Sequence, residues 1–143
     1  MKYLLVALFL MVSSVTQAAE VLPGPYKVIV HSVYDGDTLT AIVRIWLGQT
    51  VTIKVRINEI DTPEIRTKCV DEKVKAYAAK EALEDLLTGN VEIKNVRYGK
   101  YAGRVVAVVT VNGANVGDMM IDRGHAVFYD GKSERKNWCE TLD

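Results

Sequence analysis

Tyr26-Lys27-Val28-Ile29-Val30-His31, then Leu39-Thr40-Ala41-Ile42-Val43-Arg44-Ile45-Trp46, then Val51-Thr52-Ile53-Lys54-Val55-Arg56-Ile57 are successive β-type runs, and they decide the fold. In the last, Val51, Ile53, Val55 and Ile57 point one way and Thr52, Lys54 and Arg56 the other. The first two carry apolar residues in both registers, a pattern that predicts strands buried on two faces, as in a closed barrel. Asp35-Gly36 supplies a turn between the first pair, and Gly48-Gln49 between the second.

Downstream the period changes. From Val70 to Leu87 the pattern is helical, with Val74, Tyr77, Ala78, Ala82 and Leu86 assigned to one face and Gly89 placed to end the helix. Val91–Val96 and Arg104–Val111 read as two more strands, followed by an Asn112-Gly113 turn. A short helix is expected over Asn115–Arg123, a last strand over Ala126–Tyr129, and one more short helix in the tail from Lys132. Five β segments with a helix after the third match a mainly β fold with added α: a five-stranded OB-type barrel with two to three packed helices.

Upstream, Lys2, the apolar stretch Leu4–Val12 and the small-residue exit Ser13, Ser14, Thr16, Ala18 and Ala19 have the order of a secretory signal peptide. Residues 1–19 are therefore read as a signal, and residues 20–143 as a single domain. The expected location is exported, either periplasmic or extracellular, with no membrane association after signal removal. The 18 basic and 18 acidic residues of the chain give no general basic surface, so nucleic-acid binding would depend on a local patch, for which Lys94, Arg97, Lys100 and Arg104, or Lys132, Arg135 and Lys136, are the sequence clusters. Cys69 and Cys139 are an even count in an exported chain, which favours a disulfide closing a long loop and anchoring the tail. Two cysteines without neighbouring histidines are a poor zinc site. His31 and His125 lie far apart and read as strand or loop residues. Tyr34, Trp46 and Tyr77 read as core or barrel surface, and Trp138 as packing the tail against the barrel.

Asp35-Gly36-Asp37-Thr38, Arg56, Asp61-Thr62-Pro63-Glu64 and Arg104 carry the chemistry. Taken singly, each has an ordinary reading as a turn, a helix start or a solvated charge. Together they place acids and arginines at strand ends, where one rim of a barrel could collect them. Hard oxygen ligands suit calcium or magnesium. Guanidinium groups beside such a cation suit a phosphate, and a spare carboxylate could activate water.

The run Tyr34-Asp35-Gly36-Asp37-Thr38, with Arg56 five residues before Asp61-Thr62-Pro63-Glu64, resembles the staphylococcal nuclease (thermonuclease) family. Lys100-Tyr101-Ala102-Gly103-Arg104 is similar to that family's Tyr-Gly-Arg segment, with Ala102 inserted. The resemblance implies a calcium-dependent nuclease acting on DNA and RNA, preferring single strands and leaving 3′-phosphate ends; a monomer is expected. It implies Asp37, Asp61 and the Thr62 carbonyl as Ca2+ ligands, Glu64 as general base, and Arg56 and Arg104 as the grip on the scissile phosphate. Lys100, Tyr101 and Tyr129 stand at or near substrate-contacting positions. The competing readings are a non-catalytic OB-fold nucleic-acid-binding module and a calcium-stabilised surface domain. Asp37, Asp61 and Glu64 beside two arginines distinguish the enzyme from the binder, which has no need of clustered acids.

Overall fold

A computed structural model describes residues 19–139; all of the expected signal peptide but its last residue lies outside the described residues. In chain order the elements are β1 (Val21–Leu22), β2 (Tyr26–Val33), β3 (Thr38–Trp46), β4 (Gln49–Ile57), β5 (Ile60–Asp61), α1 (Val70–Leu86), β6 (Val91–Tyr98), β7 (Arg104–Val111), β8 (Ala114–Asn115), α2 (Val116–Asp122) and β9 (Val127–Phe128). The sheet runs β6-β2-β3-β4-β7, and a β6–β7 pairing closes it into a five-stranded barrel. All the barrel pairings are antiparallel except the parallel β4–β7 ladder. β1 and β8 extend the sheet, and β5 pairs with β9 apart from it.

The alternation read from the sequence is the barrel's inside and outside. Leu39, Ala41, Val55, Ile57, Ile93, Ala107 and Val109 point inward and are fully or almost fully buried. Each large side chain among them contributes roughly 1.5–3 kcal/mol on burial. The outer register is not a second buried face, contrary to the two-sided burial expected: Ile29 and Trp46 are exposed. Strands this apolar on both registers still form a one-sided wall, because closure buries only the interior and the two helices, of 17 and 7 residues, do not cover the outside.

α1 packs through small residues. Its buried face is Ala76, Ala79, Ala82, Leu83 and Leu86, while Val74 and Tyr77 are exposed. Ala82 and Leu86 lie on the buried face as expected, but Ala76, Ala79 and Leu83 take the places expected of Val74, Tyr77 and Ala78. The alanines matter here because the β2–β3 turn lies against them. A Cβ added to Gly36 would stand 2.7 Å from the Ala79 Cβ and 3.0 Å from the Thr62 Cβ. Gly36 therefore lets the Asp35–Asp37 turn press on both α1 and the Asp61–Glu64 segment. Asn112 and Gly113 both take positive φ, as their hairpin turn requires. The third short helix is absent among the described residues: 132–139 form an irregular strap. Asp130 begins it by accepting the backbone N–H of Lys132 and Ser133 and the Ser133 hydroxyl, and those bonds lower its carboxyl to about 2. Cys69–Cys139 forms the expected disulfide.

Candidate active site

Register brings the first two site residues together. Thr38 stands opposite Arg56 across the β3–β4 ladder, so the turn preceding Thr38 lies over the end of β4. Arg56 Nη1 reaches Asp37 Oδ2 at 3.2 Å. The same nitrogen donates to the carbonyls of Ile57, at 3.2 Å, and Ile60, at 3.0 Å. Glu59 takes φ 60 in the turn between those carbonyls, and its own carbonyl accepts the Tyr129 N–H. Asp37 is buried, accepts the Thr38 hydroxyl at 2.8 Å, and donates its own N–H to Asp35 Oδ1. Burial pushes the Asp37 carboxyl up to about 6; the Arg56 charge opposes that shift, and Asp35 adds to it.

Asp61 follows directly from the Ile60 carbonyl that Arg56 holds. It is fully buried on β5, paired with Val127 of β9, and both of its oxygens are engaged. Oδ1 accepts Arg135 Nε–H at 2.6 Å, and Oδ2 accepts the Trp138 indole N–H at 3.0 Å. Arg135 Nη1 donates to Glu64 Oε1 at 2.8 Å, and Nη2 to the Thr62 carbonyl at 3.3 Å. One guanidinium therefore binds Asp61, Thr62 and Glu64 together. Burial by itself would lower the Arg135 pKa, but hydrogen bonds and charges from Asp61 and Glu64 raise it above the ordinary arginine range. Glu64 is exposed, and its backbone N–H is held by Glu72 of α1.

The remaining candidates flank this rim. Tyr129 lines a groove with Arg56, Asn58 and Arg97, and Arg97 donates to the Asn58 side chain. Arg104 opens β7, where Lys54 of β4 is its neighbour and Arg56 pairs with Val106 two residues on. It lines a second groove with Tyr34, Thr38, Lys54 and Arg66. Lys100 and Tyr101 are not drawn into either groove. They sit on the exposed β6–β7 turn, which also accommodates Ala102, and Tyr101 lies 5.0 Å beneath the Arg104 guanidinium.

Sequence reasoning placed Arg135 in a basic cluster but missed its pairing with Asp61, and missed the direct Trp138–Asp61 bond, because both cross more than seventy residues and no local pattern marks them. Lys54 and Arg66 were also missed. The strand alternation that put Lys54 on the face of Arg56 was a usable signal. The donor set of Asp37, Asp61 and the Thr62 carbonyl fits a hard cation in kind. Here Asp37 is neutralised by Arg56, and Asp61 and Glu64 by Arg135. Among the described residues no cluster of three or more His, Cys, Asp or Glu is gathered to hold a metal, so a cation taking this site must displace Arg135.

A closed five-stranded mixed barrel with two helices, carrying acids and arginines at one rim, defines an OB-like protein. The family model described as staphylococcal nuclease homologue matches residues 54–142, more than half of the chain, and the chain belongs to that family. The match begins after the Asp35–Thr38 turn, which the structure adds to the rim through Arg56. No curated protein matches the chain. The family is nuclease-like, acts on nucleic acids and is typically metal-dependent.

Proposed function

We propose that this protein is an exported, calcium-dependent nuclease that hydrolyses DNA and RNA, prefers unpaired strands and leaves 3′-phosphate ends. The observation that carries the reading is Arg56: its guanidinium joins buried Asp37 to the strand end from which Asp61, Thr62 and Glu64 run. Arg56 and Arg104 offer planar donors to the non-bridging oxygens of a phosphate, where charge grows in the transition state. Glu64, exposed to solvent, takes a proton from the attacking water. The water oxygen bonds to phosphorus, the bond to the 5′-oxygen breaks, and that oxygen takes a proton from solvent. Asp37, Asp61 and the Thr62 carbonyl would hold Ca2+, which supplies positive charge against the phosphate. Tyr129 stands where it can border the bound nucleotide beside Arg56. Export is supported by the N-terminal charge, apolar run and small-residue exit, and by the Cys69–Cys139 bond. No helix among the described residues is long and apolar enough to cross a membrane.

The test is cleavage of single-stranded DNA and RNA by the full mature chain, with calcium and with a chelator, beside Glu64→Gln. Calcium-dependent cleavage that falls ~10²–10⁴-fold in the variant is expected. Near-normal turnover would remove Glu64 from the chemistry. One observation favours a second reading, a non-catalytic binding module: Arg135 already compensates Asp61 and Glu64 without a cation. Strand binding that ignores calcium, with no cleavage, would establish that reading instead.

A further inference from the structure

Lys54, Arg66 and Arg104 converge with the Tyr34 ring on an open groove of about 260 Å3 next to the Asp35–Asp37 turn. We propose that this groove is a second nucleotide subsite, which takes the phosphate and base flanking the scissile linkage on a single strand. The inference rests on the nuclease reading above and deepens it.

Four observations support it. No carboxylate pairs with Lys54, Arg66 or Arg104 among the described residues, whereas Arg56 and Arg135 are both committed to acids. The Arg104 Nε is buried without any hydrogen-bond partner. A buried N–H without an acceptor is costly, and an oxygen of the scissile phosphate that Arg104 grips would satisfy it, which sets that phosphate at the edge of this groove and the next nucleotide against Lys54, Arg66 and Tyr34. The spacing also fits. Lys54 lies two residues before Arg56 on the same outward face of β4. Two residues of strand span about 6.6 Å, on the order of the separation of adjacent phosphates in an extended strand. Finally, Tyr34 is half exposed, and Arg66 reaches over its ring at 5.9 Å. An aromatic ring and a guanidinium plane are the surfaces on which unpaired bases stack.

Asp35 also lines the groove, but its Oδ1 is occupied by the Asp37 N–H. The groove is smaller than the ~300–1,000 Å3 usual for enclosed ligands, which suits a backbone phosphate with its base laid over the rim. An acidic peptide would use the cations but not the exposed ring, and no phosphate-gripping arginine would need to stand two residues away.

The experiment compares the full mature chain with Lys54→Ala/Arg66→Ala, both positions being exposed. Substrates are a chromogenic mononucleotide phosphodiester and oligothymidylates of increasing length, in calcium at several salt concentrations. The double variant should lose about tenfold more kcat/KM on oligonucleotides than on the mononucleotide ester. Its salt slope for KM should shrink by ~0.7, the amount for one lost phosphate contact on a single strand. Tyr34→Ala should lose length dependence while keeping the salt slope. Equal losses on short and long substrates, or none, would overturn the subsite. If neither protein cleaves, the nuclease reading has failed separately. The subsite is then judged by anisotropy of labelled oligothymidylate in chelator: weaker binding by the double variant supports it, and equal binding overturns it.

Discussion

Two carboxylate–guanidinium pairs share the rim, and they are built in opposite ways. Asp37–Arg56 joins two neighbouring strands through the β3–β4 register, and Arg56 is fixed further by two backbone carbonyls. Asp61–Arg135 spans 74 residues of chain and depends on an irregular strap. Trp138 and the Cys69–Cys139 bond hold that strap in place. The first pair is inseparable from the barrel, because undoing it means moving strand ends. The second can be undone by moving the tail alone. The two acids proposed to hold Ca2+ therefore divide into one compensated from within the barrel and one compensated from the tail.

Arg56→Ala should have the largest effect and would break the fixed half. Removing a donor aimed at the charge developing on phosphorus costs ~10²–10³ in kcat, read on single-stranded DNA in calcium. Because Arg56 also holds the Ile57 and Ile60 carbonyls, some loss of stability should accompany it. A fall in rate of less than tenfold would mean that the phosphate sits elsewhere on the rim.

Arg135→Ala tests the exchangeable half. In chelator it leaves fully buried Asp61 without its charged partner, keeping only the Trp138 N–H. Breaking a buried pair is strongly destabilising, and since Arg135 is itself part exposed, a loss of about 2 kcal/mol in urea denaturation is expected. Saturating calcium should recover most of that loss, and calorimetry should show calcium binding about tenfold tighter than in the unmodified chain. Cys139→Ser should move the calcium affinity the same way by less. If Arg135→Ala stays equally destabilised in calcium, the strap serves only to hold the fold together.

This division also marks what the sequence could reveal. Strand alternation from Tyr26 to Ile57 specified the barrel because an inside-out register repeats every two residues, Asp37 and Arg56 fall at the ends of those strands, and Asp61 follows four residues after the last of them. The Gly36 requirement was hidden, since it comes from the close approach of Ala79 and Thr62, neither adjacent in sequence. Part of the face of α1 was misjudged for the same reason: alanines are buried there because a turn sits close, not because they are strongly apolar. Arg135 was legible only as part of a basic cluster, and its pairing was not, because a charged residue in an irregular tail carries no period. Its partners are set by the disulfide and by Trp138, both closed only in three dimensions.

The smallest effect concerns the fixed pair and its pH dependence. The Asp37 carboxyl sits at about 6 in the folded protein against 3.8 for the free group, chiefly because burial disfavours its charge. A folded pKa above the unfolded value means that the folded state binds the extra proton. Its contribution to stability is therefore full below about pH 4 and is lost as pH rises through about 6. The corresponding effect is on the order of 3 kcal/mol at ~1.4 kcal/mol per unit, with the opposing charge of Arg56 already contained in it. Asp37→Asn removes the charge and keeps a hydrogen-bonding side chain. In chelator it should stabilise the protein by ~1–2 kcal/mol at pH 7, with the gain disappearing near pH 4. Denaturation midpoints measured across that range decide the matter. A variant less stable than the unmodified chain at pH 7 would mean that the Arg56 charge outweighs burial, and that Asp37 is held ionised by its partner rather than strained by its surroundings.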